Sequence, residues 1–112
     1  GDPWPSPGFD AVFSANTAHI MPLDAVEAMF RGVGTVLNPG GKFLLYGPFN
    51  YDGGFTSDSN ERFDGWLRQQ DPAMGIRDLG VLATFASEAG MVLQEDIEMP
   101  VNNRTLIWGK KT

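Results

Sequence analysis

Three polar side chains that follow the first predicted strand are candidates for chemistry. Asn16, Thr17 and His19 come directly after an apolar segment that ends at Ala15. In an open α/β sheet, ligands bind beyond the carboxyl ends of the strands, so these residues could hydrogen-bond a ligand. His19, the one histidine of the sequence, could also act as a general base. The alternatives are turn formation by Asn16 and Thr17, and a packing or capping role for His19.

A second group of candidates surrounds the end of the predicted central strand. Two aromatic faces and an amide follow that strand in a glycine-containing loop, a combination that suits a small organic substrate. The alternative is an ordinary loop whose aromatic rings pack on a neighbouring helix. The link between the last two predicted strands could approach the same edge, although a hairpin turn also explains its asparagines. The residues in question are Tyr46, Pro48, Phe49, Asn50, Tyr51, Asn102 and Asn103.

Other kinds of site are disfavoured by the residue types present. The sequence has no cysteine and one histidine, so no metal site is predicted. Four acidic residues lack the spacing of a calcium loop and are interpreted as a solvated helix face. They are Asp52, Asp58, Glu61 and Asp64. Sequence order alone supplies no catalytic dyad or triad, so no catalytic residue is assigned.

The composition favours a globular protein and disfavours nucleic acid and membrane as partners. Hydrophobic residues make up 42% of the 112 residues, enough for a modest core. The formal net charge is −6, and clustered Lys and Arg are lacking, so nucleic-acid binding is not expected. No apolar run approaches the roughly 20 residues of a membrane span. Together with the absence of cysteine, this composition predicts a cytoplasmic protein without a membrane partner.

Apolar periodicity predicts strands that alternate with helices, and therefore an α/β fold with a mainly parallel sheet. The turn before the central strand has a clear cause, because Pro39 fixes φ while Gly40 and Gly41 permit positive φ. The predicted strands are residues 9–15, 42–46, 92–99 and 105–110, and the predicted helices are residues 24–37, 57–70 and 78–89.

The chain divides into a short linker and one larger unit. Three prolines within residues 1–8 predict an extended linker. Residues 9–112 then form one structural unit, with a polar helical insert at about 47–78. A first strand that emerges directly from such a linker suggests that the sequence begins partway through a domain.

Several segments together resemble a methyltransferase-like family of unknown function, the DUF938 type. The succession strand, helix, LNPGG and strand is shared by many class I S-adenosylmethionine-dependent methyltransferases, whereas YGPFNYDG and MPVNNR are specific to the smaller family. With FDAVFSANTAHIM, GIRDL and EDIEMPVNNRTLIW, these segments extend from about Phe9 to Trp108. The resemblance implies the C-terminal half of a Rossmann-like class I fold. Its strands would lie in the order 4-5-7-6 with the last strand antiparallel, and helices would cover both faces.

The resemblance also implies a function for the intact protein, namely methyl transfer from S-adenosylmethionine to a small molecule. Asn16, Thr17 and His19 would lie near the cofactor. The residues around the central strand and the final hairpin would lie near the substrate, and the helix of the insert would help to cover it. The family's glycine-rich cofactor loop would precede Phe9, so we expect this chain alone to be inactive and not to bind the cofactor. The alternative is a methyltransferase-like binding or scaffold protein without turnover. An unpaired edge on the first strand predicts a homo-oligomer.

Overall fold

The structure is a computed structural model that describes residues 8–112. The linker predicted over residues 1–8 therefore lies outside the described residues, apart from Gly8. In chain order the elements are β1 (Phe9–Ala15), α1 (Leu23–Val36), β2 (Leu37–Gly47), β3 (Phe49–Asn50), α2 (Asp58–Gln70), β4 (Arg77–Asp78), α3 (Leu79–Glu88), β5 (Met91–Met99) and β6 (Asn103–Lys110). Within the described residues, no helix has the length and apolar character needed to cross a membrane.

Four of the strands form one sheet in the order β1-β2-β6-β5. β1 and β2 are parallel, and β6 runs antiparallel to both β2 and β5. The register aligns Val12, Phe43 and Trp108 across three neighbouring strands, so these side chains share one face. With β1 as the fourth strand of a class I fold, this arrangement is the predicted order 4-5-7-6 with an antiparallel last strand.

The turn predicted before the central strand lies within β2. β2 begins at Leu37, immediately after α1, and β1 pairs with both ends of the turn. Phe9 lies opposite Leu37 and Ala11 lies opposite Lys42, so the register shifts between them. Gly40 has a φ of +83°, as expected for the glycine of such a bulge. The sequence therefore predicted the backbone bend correctly and missed that the strand continues through it.

One face of the sheet is covered by α1 and α3. Phe30 of α1 is fully buried, and its ring centroid lies 5.3 Å from that of Phe43 and 5.4 Å from that of Trp108. The two helices approach closely, because a Cβ at Gly34 would lie only 2.4 Å from the carbonyl oxygen of Ala89. Helices on both faces were predicted for this half of the fold, whereas α1 and α3, the two helices that pack on this sheet, lie on the same face.

The opposite face of the sheet is more open. Phe13 on β1 is 65% exposed and Ile97 on β5 is 41% exposed, while Leu44 and Ile107 between them are partly buried. β1 is the outer strand, and its other edge has no strand partner within residues 8–112. The association of chains through this edge stays a prediction.

The insert predicted at about 47–78 contains α2 and the two-stranded pair β3–β4. Ser57 caps α2, because its hydroxyl accepts a hydrogen bond from the backbone N–H of Asn60 at 3.1 Å. Asp78 caps α3 in the same way through Gly80 at 2.9 Å. The predicted solvated acidic face of α2 is wrong at Asp64, which is 6% exposed.

Candidate functional site

A cavity of about 320 Å³ lies at the carboxyl end of β1 and β2, within the size range of small-molecule sites. α2 forms one wall, and the hairpin between β5 and β6 forms another. Its lining combines amides, a hydroxyl, an imidazole and apolar groups. The residues are Asn16, His19, Pro48, Ser59, Asn60, Phe63, Val101 and Asn103. Four of these belong to the predicted site residues, and the structure brings them together from three separate segments.

His19 is the most deeply buried of the predicted polar residues, with 5% of its surface exposed. Its ring packs edge-on against Phe63 of α2, with the centroids 5.5 Å apart. Burial, and to a lesser degree the positive charge of Arg77, lower the pKa of His19 from its ordinary value of 6.5. The imidazole is therefore neutral at pH 7 and has one ring nitrogen able to accept a proton.

Asn16 and Thr17 behave differently although they are adjacent. Asn16 has a φ of +57°, which Asn tolerates better than most residues, and its backbone N–H donates to the Tyr46 carbonyl at 2.9 Å. This turn brings Asn16 to the cavity. Thr17 does not line the cavity, because its hydroxyl is 2.7 Å from that of Ser14 and 3.9 Å from the sulfur of Met29.

The final hairpin is tied to both β2 and α2. The Asn103 amide donates to the Tyr46 hydroxyl at 3.1 Å, so Tyr46 supports a cavity residue. The Asn102 amide donates to the Ser59 hydroxyl at 3.0 Å, and the Asn60 amide donates to the Asn102 carbonyl at 3.3 Å. Asn102 itself lies in a neighbouring surface depression with Arg104. Of the two predicted asparagines, only Asn103 faces the main cavity.

The loop after β2 contributes less to the cavity than the sequence suggested. Pro48 lines it, but Phe49 is 1% exposed and belongs to the hydrophobic core. Asn50 is 9% exposed, and its amide donates to the Ile76 carbonyl at 3.4 Å. The Tyr51 hydroxyl donates to Asp96 at 2.6 Å. Burial and this carboxylate raise the pKa of Tyr51 well above its usual range. Phe49, Asn50 and Tyr51 therefore do not line the cavity.

Sequence reasoning placed the helix of the insert over the substrate but named no residue of α2 as part of the site. Ser59, Asn60 and Phe63 lie one turn apart on one side of this helix and face the carboxyl edge of the sheet. The sequence contained one indication of this role, because Phe63 is an apolar residue in an otherwise polar turn of the helix. It was read only as packing on the body of the protein. Among the described residues that line the cavity there is no carboxylate, and no group of described residues could hold a metal ion.

The family model described as "Protein of unknown function (DUF938)" matches residues 3–110. The chain belongs to this family. The resemblance inferred from YGPFNYDG and MPVNNR is thereby confirmed.

Solved methyltransferase structures share this fold at low sequence identity. An O-methyltransferase family 2 protein from Planctomyces limnophilus in complex with apigenin has a TM-score of 0.83 at 15% identity, covering 98% of this chain and 33% of that chain. Human N-acetylserotonin methyltransferase in complex with S-adenosylmethionine has a TM-score of 0.78 at 17% identity, covering 100% and 32%. An O-methyltransferase family protein from Burkholderia thailandensis has a TM-score of 0.78 at 15% identity, covering 96% and 32%.

These matches establish the fold class. The chain has the architecture of the C-terminal part of a class I methyltransferase-like domain, as predicted. It spans about one third of the length of the solved structures that it matches.

Proposed function

We propose that this chain forms one wall of the active site of a methyltransferase that uses S-adenosylmethionine and methylates an oxygen atom of a small molecule. The methyltransferase-like fold favours S-adenosylmethionine as the cofactor, and the names of the similar structures favour oxygen as the methyl acceptor. The observation that carries the proposal is His19, a buried neutral imidazole that lines a cavity at the carboxyl edge of the sheet.

The residues of the cavity fit one side of such a site. S-adenosylmethionine supplies a methyl group bonded to a positively charged sulfur. The cavity offers amides from Asn16 and Asn103, an aromatic ring from Phe63 and the imidazole of His19. These groups suit the polar and aromatic parts of a small acceptor and the reacting end of the cofactor. The described residues of the cavity contain no carboxylate for the ribose hydroxyls, so we assign them to the acceptor side and to the transferred methyl group.

In the proposed reaction, His19 takes a proton from the acceptor hydroxyl as the methyl group bonds to that oxygen. The carbon–sulfur bond breaks, and its electron pair stays on sulfur. The proton is held on the imidazole until water removes it. Asn16 and Asn103 would orient the acceptor, since displacement at carbon gains most from alignment of the reacting atoms. The depressed pKa of His19 keeps the proton-accepting form populated at pH 7.

The test is transfer of a labelled methyl group from S-adenosylmethionine to small phenols, including apigenin and N-acetylserotonin. The protein should be used in the longest form in which it is made. His19→Gln should lower kcat by about 100-fold or more, the usual contribution of a general base. The exposed residue Glu88, changed to Gln, provides a matched control and should leave the rate unchanged.

A binding or scaffold protein without turnover is the competing function. It predicts that calorimetry detects binding of a phenol or of S-adenosylmethionine, with no labelled product in any assay. Methyl transfer that is fully retained in His19→Gln would instead contradict the assigned role of the imidazole while leaving the methyltransferase itself standing.

A further inference from the structure

The guanidinium of Arg77 binds the backbone on both sides of His19. Its Nε donates to the carbonyl of Ala18 at 3.1 Å, and one Nη donates to the carbonyl of Met21 at 2.6 Å. The same Nη donates to the carbonyl of Ala73 at 2.6 Å. One side chain on β4 therefore joins the loop that carries His19 to the loop that precedes β4. None of these carbonyls accepts a bond within a helix or the sheet, so Arg77 satisfies groups that would otherwise need water.

The peptide of His19 itself is held by the same loop. Its carbonyl accepts a hydrogen bond from the backbone N–H of Gly75 at 3.0 Å. A one-turn bond from the Ile20 N–H to the Thr17 carbonyl at 3.1 Å closes the segment. Gly75 has a φ of +158°, which L side chains rarely adopt, and a Cβ there would lie 2.6 Å from a guanidinium nitrogen of Arg68 on α2.

Two adjacent residues of α2 complete the arrangement. Phe63 contacts the imidazole of His19, as described above. Asp64 accepts the backbone N–H of Ile76 at 2.8 Å and the Nε of Arg68 at 2.9 Å, and it is 6% exposed. Asp64 thus fixes Ile76, the residue that immediately precedes β4 and Arg77. Phe63, which contacts the ring of His19, and Asp64, which holds the backbone before Arg77, therefore lie on the same turn of α2.

We propose that Arg77 is a positioning residue that fixes the His19 imidazole in the cavity by holding the Ala18 and Met21 carbonyls. The proposal rests on the proposed function for the role of His19 in proton transfer, but the positioning is a property of this chain alone. Lys could not replace Arg77, because a single ammonium nitrogen lacks the two separated donor positions that span the loop.

The charge of Arg77 has a second effect on His19. A nearby cation disfavours the imidazolium, so it helps to keep the imidazole neutral. Arg68 and Asp64 of α2 are the charged groups that act on Arg77 itself. Because Asp64 is already hydrogen-bonded to Arg68 and Ile76, the described residues give His19 no carboxylate partner that would favour its protonated form.

The test uses the fact that His19 is the one histidine of the sequence, so its ring signals in a proton NMR spectrum are unambiguous. Arg77→Gln removes the charge and the fork of donors, whereas Arg77→Lys keeps the charge. We expect Arg77→Gln to raise the pKa of His19, since a like charge is removed. In both variants the nuclear Overhauser contact between the His19 and Phe63 rings should weaken. Arg31→Gln, at an arginine whose side chain is 68% exposed, is the control and should change neither signal.

The proposal is overturned if neither the titration of His19 nor its contact with Phe63 changes in Arg77→Gln. Should that variant fail to fold, the ring contact in Arg77→Lys decides the question. In the methyl-transfer assay, Arg77→Lys should lower kcat by about 10- to 100-fold, because small misplacements of a reacting group are costly. KM for S-adenosylmethionine should change less than threefold. If the NMR signals respond but His19→Gln retains full activity, the proposed role of His19 in proton transfer fails and the positioning role of Arg77 stands.

Discussion

The covered face of the sheet and its carboxyl edge are held together by different forces. On the covered face, Phe30, Phe43 and Trp108 are fully buried and meet edge to face, so burial of apolar area stabilises this region. At the carboxyl edge, Arg77 and Asp64 hold loops through hydrogen bonds to backbone groups. Substitutions in the core should act mainly through the side-chain volume that they remove. Substitutions at the carboxyl edge should act through the direction and charge of single hydrogen-bonding groups.

The largest expected effect is in the core. Phe30→Ala should lower the free energy of unfolding by about 3–5 kcal/mol, because the cavity left between α1 and the sheet cannot fully collapse. Urea denaturation followed by circular dichroism measures this change. Phe13→Ala, on the open face, should cost less than about 1 kcal/mol because the ring is already 65% exposed. Equal losses at the two positions would show that the open face is covered in solution.

A smaller effect at the carboxyl edge should depend on pH. The pKa of His19 is lowered in the folded state, so the unfolded chain binds the proton more tightly than the folded one. Well above pH 6.5, the ordinary pKa of a histidine in an unfolded chain, both states are neutral at this position and the residue contributes little pH dependence. As the pH falls below this value, the unfolded state gains protons first and stability decreases until the folded state is also protonated.

This prediction is checked by comparing wild type with His19→Gln in urea at pH 7.5 and pH 5. The stability difference between the two proteins should shift in favour of the variant at pH 5. Carboxylates titrate in both proteins and therefore cancel in the comparison. A difference that is independent of pH would contradict the burial of a neutral imidazole.

The smallest expected effect concerns the hairpin that borders the cavity. Val101 has a φ of +61° and is 85% exposed, so a β-branched residue occupies a left-handed conformation without packing in return. Val101→Asn should raise the free energy of unfolding by about 0.5–1 kcal/mol, since Asn tolerates this conformation better. Val92→Asn, on β5, should be destabilising because that position is an ordinary strand residue. A thermal melt of both variants would detect the opposite signs.

Local signals in the sequence predicted the elements well. Ser57 and Asp78 cap α2 and α3 because capping depends on residues three positions apart or fewer. The strand order followed from the family resemblance and is confirmed. By contrast, the interpretation of Asp64 as a solvated residue was wrong, because its partner Ile76 lies beyond the end of the helix.

The candidate site was only partly predictable, for the same physical reason. Asn16, His19, Pro48 and Asn103 could be proposed because they follow or precede strands whose ends share one edge. Phe49 is buried where β3 pairs with β4, and no local pattern in the sequence predicts this pairing. Arg77 donates hydrogen bonds to backbone carbonyls 59 and 56 positions earlier in the chain. Because every residue has a backbone carbonyl, the sequence does not indicate which of them Arg77 contacts.

The position of β6 also bears on how the chain folds during its synthesis. β6 follows every other described element in the sequence, yet it lies between β2 and β5 in the sheet. Until it emerges from the ribosome, β2 lacks a neighbour on one side and β5 has no place in the sheet. Exposed strand edges of this kind are prone to aggregation, and non-local pairing is slow. The nascent chain should therefore be most prone to aggregation before β6 pairs with its neighbours and Trp108 is buried against Phe30.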